Sequence, residues 1–105
     1  MTRHLAIFSK NSGEDILQGK KTTDIRSSNR KLPPFGTISS GDLVYIKPPG
    51  KDIIGEFKVE KVIFSDNPDG KQRYTTEIFI GSVQKFITSP VKIPKKDLRG
   101  WVILD

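Results

Sequence analysis

The chain of 105 residues contains no cysteine, one histidine and one methionine. Without cysteine there is no disulfide framework, no thiolate metal site and no thiol nucleophile. His4 is the sole histidine, so a histidine-based metal cluster or catalytic triad has almost nothing to be built from. No metal and no cofactor are expected. Long apolar runs are missing as well: none approaches the roughly 20 residues that cross a bilayer, and the apolar stretch after Met1-Thr2-Arg3-His4 is too short for a signal peptide. The expectation is a cytoplasmic protein with no membrane attachment. Gly36 and Gly41, or Gly50 and Gly55, lack the spacing of a phosphate loop or a dinucleotide fingerprint and read as turns.

What is present is a polar, basic chain. Hydrophobic residues make up 34% and charged residues 29%, but the apolar ones are grouped into strand-length runs, which predicts one domain over residues 1–105 with a thin core. The formal net charge of +6 attracts phosphate through counterion release. A solvated basic surface has the same composition, so placement has to decide between them.

Along the chain, His4 to Phe8 reads as a short buried strand. Ser12 then caps a helix over residues 13–18, with Asp15 in a capping-box-like position and Gly19 ending the turn. Residues 20–28 carry the β-branched Thr22, Thr23 and Ile25 between polar neighbours, a strand with a polar face. Pro33, Pro34 and Gly36 make residues 29–40 a loop, a candidate lid. Gly41-Asp42 turns into a strand at Leu43-Val44-Tyr45-Ile46, which Pro48-Pro49-Gly50 ends. Residues 53–64 alternate, with Phe57, Val59 and Ile63 on one face and Glu56, Lys58 and Glu60 on the other. After the turn signal Asn67-Pro68-Asp69-Gly70, residues 74–87 fit neither period, and a helix or irregular segment is expected after Gly81. Pro90 and Pro94 break the next stretch, and Trp101 to Leu104 closes the chain as an apolar strand. Short strands with one early helix predict an α+β, mainly β fold: a closed or partly closed mixed β-barrel with one or two short helices.

The chemically informative stretch is Gly19-Lys20-Lys21-Thr22-Thr23-Asp24-Ile25-Arg26. In an extended chain Thr22, Asp24 and Arg26 share one face while Lys21, Thr23 and Ile25 share the other. Lys21 sits at the helix-to-strand junction and is free to turn towards Asp24. Arg26 offers a planar fork for phosphate or a base edge, Lys21 a point charge, and Asp24 an acceptor that also holds a neighbouring cation. The plainer alternative is an Asp24–Arg26 ion pair that pins the strand, with Lys20 and Lys21 in solvent.

Gly19, Lys21, Asp24 and Arg26 resemble the Gly-x-Lys-x-x-Glu-x-Arg signature of the ASCH superfamily, which is similar in fold to the PUA-like RNA-binding barrels. Asp15-Ile16-Leu17-Gln18 and Gly41-Asp42-Leu43-Val44 sit where such domains carry a short helix and a Gly-Asp turn into a strand, and the likeness covers roughly residues 5–64. The resemblance implies a small PUA-like barrel with a cleft lined by the motif and a role in binding RNA, DNA or nucleotides. It also implies two enzymatic alternatives, an amidohydrolase acting on acetylated cytidine and a ribonuclease, for which Lys21 and Asp24 are the catalytic candidates. The amidohydrolase pattern places a nucleophilic threonine where this chain has Asp24, and its later glutamate has no clear counterpart beyond a guess at Glu77. A carboxylate there binds or acts as a base rather than forming an ester.

The leading expectation is therefore a nucleic-acid or nucleoside binding module, with RNA ahead of DNA as partner. Its ligand-binding residues are Lys20, Lys21, Thr23, Asp24 and Arg26, framed by Ser9, Lys10 and Arg30, with Phe35 as the stacking aromatic of the proline-rich loop. Tyr45 and Tyr74 are further stacking candidates, and Trp101, within an apolar run, is assigned to the core. The basic run Lys92, Lys95, Lys96 and Arg99 extends the electropositive surface or is a solvated loop. A hydrolase acting on a modified nucleoside or on RNA is the second reading. A protein-interaction domain with an acidic partner is the third.

Overall fold

A computed structural model describes residues 1–88 and 100–104. Six strands and one helix follow in the order β1 (Arg3–Ile7), α1 (Lys10–Leu17), β2 (Thr23–Ser28), β3 (Leu43–Lys47), β4 (Gly55–Asp66), β5 (Tyr74–Lys85) and β6 (Trp101–Ile103). They form one curled, half-barrel sheet in the order β2-β5-β4-β3-β1-β6. Only β1 and β3 pair in parallel; every other neighbour is antiparallel. A parallel pair needs a long crossover, and α1, β2 and the loop at residues 29–42 supply it. The small, mainly β barrel expected from the sequence is the observed architecture, and none of the described helices is long and apolar enough to cross a membrane.

The inner face of the sheet carries the main core. Ala6, Val44, Ile46, Phe57, Val59, Ile78, Ile80 and Trp101 meet Phe8, Ile16 of α1 and Ile38 of the long loop. On the other face Leu5, Tyr45 and Ile53 form a second cluster, backed by Phe86, Val102 and Leu104. Leu5 pairs with both Tyr45 and Val102 across the ladder, so this cluster is a cross-strand row. Both faces of β1 are therefore covered, which is why its middle residues, His4, Leu5 and Ala6, are buried without alternation.

The helix begins earlier than expected, at Lys10, with Ser9 rather than Ser12 as its cap. Ser9 is extended (ψ 156°) and its hydroxyl accepts from the Ser12 amide at 3.2 Å, so Ser12 lies one turn inside and donates to the cap. Gly19 adopts φ 76°, and the amides of Lys20 and Lys21 return to the Asp15 carbonyl. This left-handed exit aims the chain from α1 into β2.

Two further expectations are corrected. β5 stays a strand through Lys85, where a helix or irregular segment was expected after Gly81, and Ile63 does not share the inward face of Phe57 and Val59. Both differences have one cause. The β4–β5 ladder shifts register between Phe57 and Val59 and again between Val59 and Lys61, and an extra residue in a ladder reverses the faces beyond it. Val62 thus packs on the core opposite Ile78, while Ile63, paired with Glu77, is exposed. Gly81 lies at the irregularity, where a Cβ would stand 3.0 Å from the Lys58 carbonyl. Pro90, Pro94 and the run Lys92 to Arg99 lie outside the described residues.

A buried polar chain ties β1 to the strands around it. The Trp101 indole N–H donates to His4 Nδ1 at 3.0 Å, and His4 Nε2 lies 2.9 Å from Asp42 Oδ2. Because an indole can only donate, Nδ1 is the bare nitrogen and the ring's proton sits on Nε2, facing the carboxylate. Asp42 also accepts from the amides of Thr2 (3.1 Å) and Ser39 (3.0 Å). Burial alone would push the Asp42 carboxyl up; the hydrogen bonds from His4, Thr2 and Ser39 outweigh it and hold it below its ordinary value of 3.8.

Two outcomes are expected. A Cβ at Gly55 would stand 2.7 Å from the Gln84 carbonyl oxygen and 2.5 Å from Leu17 Cδ2, so Gly55→Ala should cost about 1–3 kcal/mol in urea unfolding; an unchanged midpoint would show that the helix and β5 give way freely. Asp42 titrates lower in the folded chain than in the unfolded one. Its contribution is therefore complete above the unfolded value and is lost as pH falls through the folded value. Asp42→Asn should be less stable than the parent by about 1–3 kcal/mol at pH 6, and the gap should narrow at pH 3. A gap independent of pH would contradict the ionised hydrogen-bonded carboxylate.

Candidate nucleic-acid interface

The site forms where the two edges of the half-barrel approach each other. β2 and β6 are the edge strands, and Arg26 of β2 reaches from one towards the other. Its Nη2 donates to the Ile7 carbonyl at 3.0 Å, its guanidinium lies 4.7 Å from the Phe8 ring centroid, and Trp101 of β6 is at 5.3 Å. The sequence dictates this placement through alternation. Asp24, Arg26 and Ser28 share the inward face of β2 and pair with Ile78, Thr76 and Tyr74 of β5.

Asp24 is buried and both of its oxygens are engaged. Oδ2 accepts from Arg26 Nε at 2.8 Å and Oδ1 from Lys21 Nζ at 3.4 Å. Lys21 does turn from the helix-to-strand junction towards Asp24. The three side chains carry one net positive charge, and the carboxylate is flanked by cations on both sides. Asp24 therefore orients Arg26 and has no oxygen turned to the cleft. The ion-pair brace and the ligand contact are thus not exclusive: Arg26 makes the first and is open to the second.

Beside Arg26 lies a cleft of about 300 Å³, at the small end of ligand pockets. Its described lining is Arg26, Ser27 and Ser28 of β2, Leu32, Pro33, Pro34 and Phe35 of the loop, Tyr74 and Thr76 of β5, and Gly100 with Trp101. The loop is held in place by Ile38, which plugs the inner core, and by the contact of Phe35 with Phe64 (5.3 Å) and Tyr74 (5.1 Å). Tyr74 also has Lys31 at 5.7 Å and Arg73 at 4.9 Å from its ring; Arg73 is ion-paired with Asp66 at 3.0 Å, so of the two it is Lys31 that brings the rim net positive charge. Thr76 is 1% exposed, and its Oγ1 is a buried polar atom with no hydrogen-bond partner.

Of the residues expected from the sequence, Arg26 and Phe35 line this cleft, and Lys21 and Asp24 stand behind Arg26. Ser9 is engaged as the cap of α1, and Lys10 is exposed at the start of the helix. Lys20 and Arg30 are exposed, and Thr23 takes the face opposite Asp24, paired with Phe79; none of these five is among the lining residues. Tyr45 is buried in the cluster on the other side of the sheet. Glu77, paired with the exposed Ile25, also faces away from the cleft. Sequence reading missed Thr76, Leu32 and the rim cations Lys31 and Arg73. Trp101 is buried as expected but doubles as a wall. The inward parity of Arg26 would have found Thr76 once the β2–β5 register was known; no local signal marks it.

Neither the family models nor the sequences of curated proteins match the chain. Solved structures do. A serine-to-alanine mutant of ZmASCH from Zymomonas mobilis superposes with a TM-score of 0.69 at 15% identity, over 98% of this chain and 88% of that one. A tyrosine-to-phenylalanine mutant of the same protein gives 0.67 at 15% identity, over 100% of this chain and 91% of that one. The ASCH structure without those substitutions gives 0.60 at 15% identity, over 79% of this chain and 69% of the other. At such identity the likeness speaks for architecture, and it agrees with the Gly19-Lys21-Asp24-Arg26 resemblance: the chain has the ASCH fold.

Proposed function

We propose that this chain is a nucleic-acid binding domain, with RNA as its first partner, that takes one unpaired base into the cleft between the proline-rich loop and Trp101. The observation that carries this reading is the composition of the cleft: Phe35, Tyr74 and Trp101 on its walls with the Arg26 guanidinium among them. Aromatic faces stack on any base, and a cation at their edge meets either a base acceptor or the adjacent phosphate. Lys31 on the rim, within a chain of net charge +6, tracks the backbone that follows the base. RNA is put before DNA because of the likeness to the ASCH fold and because recognition by stacking suits unpaired RNA loops and ends. A hydrolytic role is less well supported. The Lys21 amine is paired with Asp24, and no hydroxyl bonds to either of them among the described residues.

Trp101 is the only tryptophan, so binding can be read from its fluorescence without a label. A single-stranded RNA of mixed sequence should quench or shift its emission. The affinity should fall about tenfold or more between 50 and 200 mM salt if a few phosphates are neutralised. Emission unmoved by RNA would remove the base from this cleft. A response that ignores salt would reassign the site to a neutral nucleoside held without its backbone.

A further inference from the structure

Arg26 lines the cleft and has donors left over. Nε is committed to Asp24 and one N–H of Nη2 to the Ile7 carbonyl, while Nη1 has no partner among the described residues. A guanidinium donates only, and its end presents two neighbouring N–H groups in one plane. The described lining contains no carboxylate. Its side-chain oxygens are the hydroxyls of Ser27, Ser28, Tyr74 and Thr76, and two of these are already engaged: Ser27 with Thr75 at 3.1 Å and Ser28 with the Arg30 amide at 3.1 Å. The Gly100 carbonyl accepts from the Ile7 amide. Thr76, directly across the ladder from Arg26 and on the same face, holds the one buried hydroxyl without a partner among the described residues. A ligand edge rich in N–H groups would therefore meet the donors of Arg26 with no carboxylate in the described lining to accept them. An edge with two adjacent acceptors would satisfy the guanidinium, while the Thr76 hydroxyl, which donates or accepts, suits either kind of edge.

We infer that the cleft is selective for a 6-oxopurine, guanine or hypoxanthine, over adenine, through the fork of Arg26. The inference rests on the proposal that a base enters this cleft, and it adds which base. In a 6-oxopurine O6 and N7 lie side by side and match two parallel N–H donors; in adenine the 6-amino group puts donors against one of them. Cytosine also has adjacent acceptors at O2 and N3. Its O2, however, sits beside the glycosidic bond, so presenting that edge to Arg26 drives the ribose against the apolar walls. The O6/N7 edge of a purine is remote from N9 and reaches inward while the sugar stays at the basic rim. A purine also covers more of the Trp101 and Phe35 faces than a pyrimidine does.

The test changes the ligand and leaves the protein intact, so no variant has to fold. Inosine, guanosine, adenosine and cytidine 5′-monophosphates are titrated against the full chain, following the single indole N–H resonance of Trp101, with inorganic phosphate as a fifth probe. The expected result is that inosine monophosphate binds about tenfold or more tightly than adenosine monophosphate, from which it differs in having a 6-oxo group with its N1 proton in place of the amine, and that the guanosine nucleotide behaves like the inosine one. Equal affinity for the inosine and adenosine nucleotides, or a preference for adenosine or cytidine, overturns the inference. So does full displacement of inosine monophosphate by an equal concentration of inorganic phosphate, because Arg26 would then be reading phosphate. If no mononucleotide binds while mixed-sequence RNA still quenches Trp101, the base-selective cleft is wrong and the RNA-binding reading stands. If RNA fails as well, both are wrong.

Discussion

Arg26 lies across the one place where the half-barrel does not close on itself. The two edge strands of the sheet, β2 and β6, are not hydrogen-bonded to each other, and the guanidinium spans the gap between them. It bonds the Ile7 carbonyl of β1 and packs on Phe8 and Trp101. A partly buried cation in such a position is costly unless a charge is set beside it. Asp24 is that charge, at 2.8 Å, with Lys21 closing its other side. The same arrangement that seals the seam leaves Nη1 of the guanidinium without a partner among the described residues, at the edge of the cleft. The structural bonds of Arg26 thus occupy only part of its N–H groups.

Trp101 is the second element on which both the seam and the cleft depend. Three hydrogen-bonded groups behind it, His4, Asp42 and the amides that Asp42 accepts, run from the end of β6 through β1 to the turn before β3. None of them lines the cleft. They set the rotation of the indole, because a Trp N–H whose acceptor is fully buried has one direction in which to point. The wall against which a base would stack is therefore positioned from the core, and the loop bearing Phe35 faces it from the other side.

The mainly β character, the loop, the turn at Gly41-Asp42 and the inward pairing of Asp24 with Arg26 could all be read from local signals: β-branched runs, paired prolines and period-two alternation. What could not be read depends on register and on distant partners. Ile63 lies on the face opposite to the one its alternation suggests because two register shifts lie within β4–β5, and a one-residue insertion leaves only a blurred period in sequence. Gly81 and residues 74–87 fail to fit either period for the same reason. The role of His4 has no local signal, because its two partners lie 38 and 97 residues away. Thr76 carries no mark at all until β5 is aligned with β2. The site was thus legible where one strand holds it and illegible where the ladder brings in a second.

Position 24 joins these points. The signature that this segment resembles has glutamate there, and this chain has aspartate, one methylene shorter. The carboxylate must therefore stay close to the backbone of β2, where it is 6% exposed and held between two cations. With aspartate, the negative charge is kept behind Arg26, and Asp24 is not among the described lining of the cleft. The shorter side chain thus seats the brace and leaves the guanidinium at the edge of the cleft, beside the Phe8 and Trp101 rings.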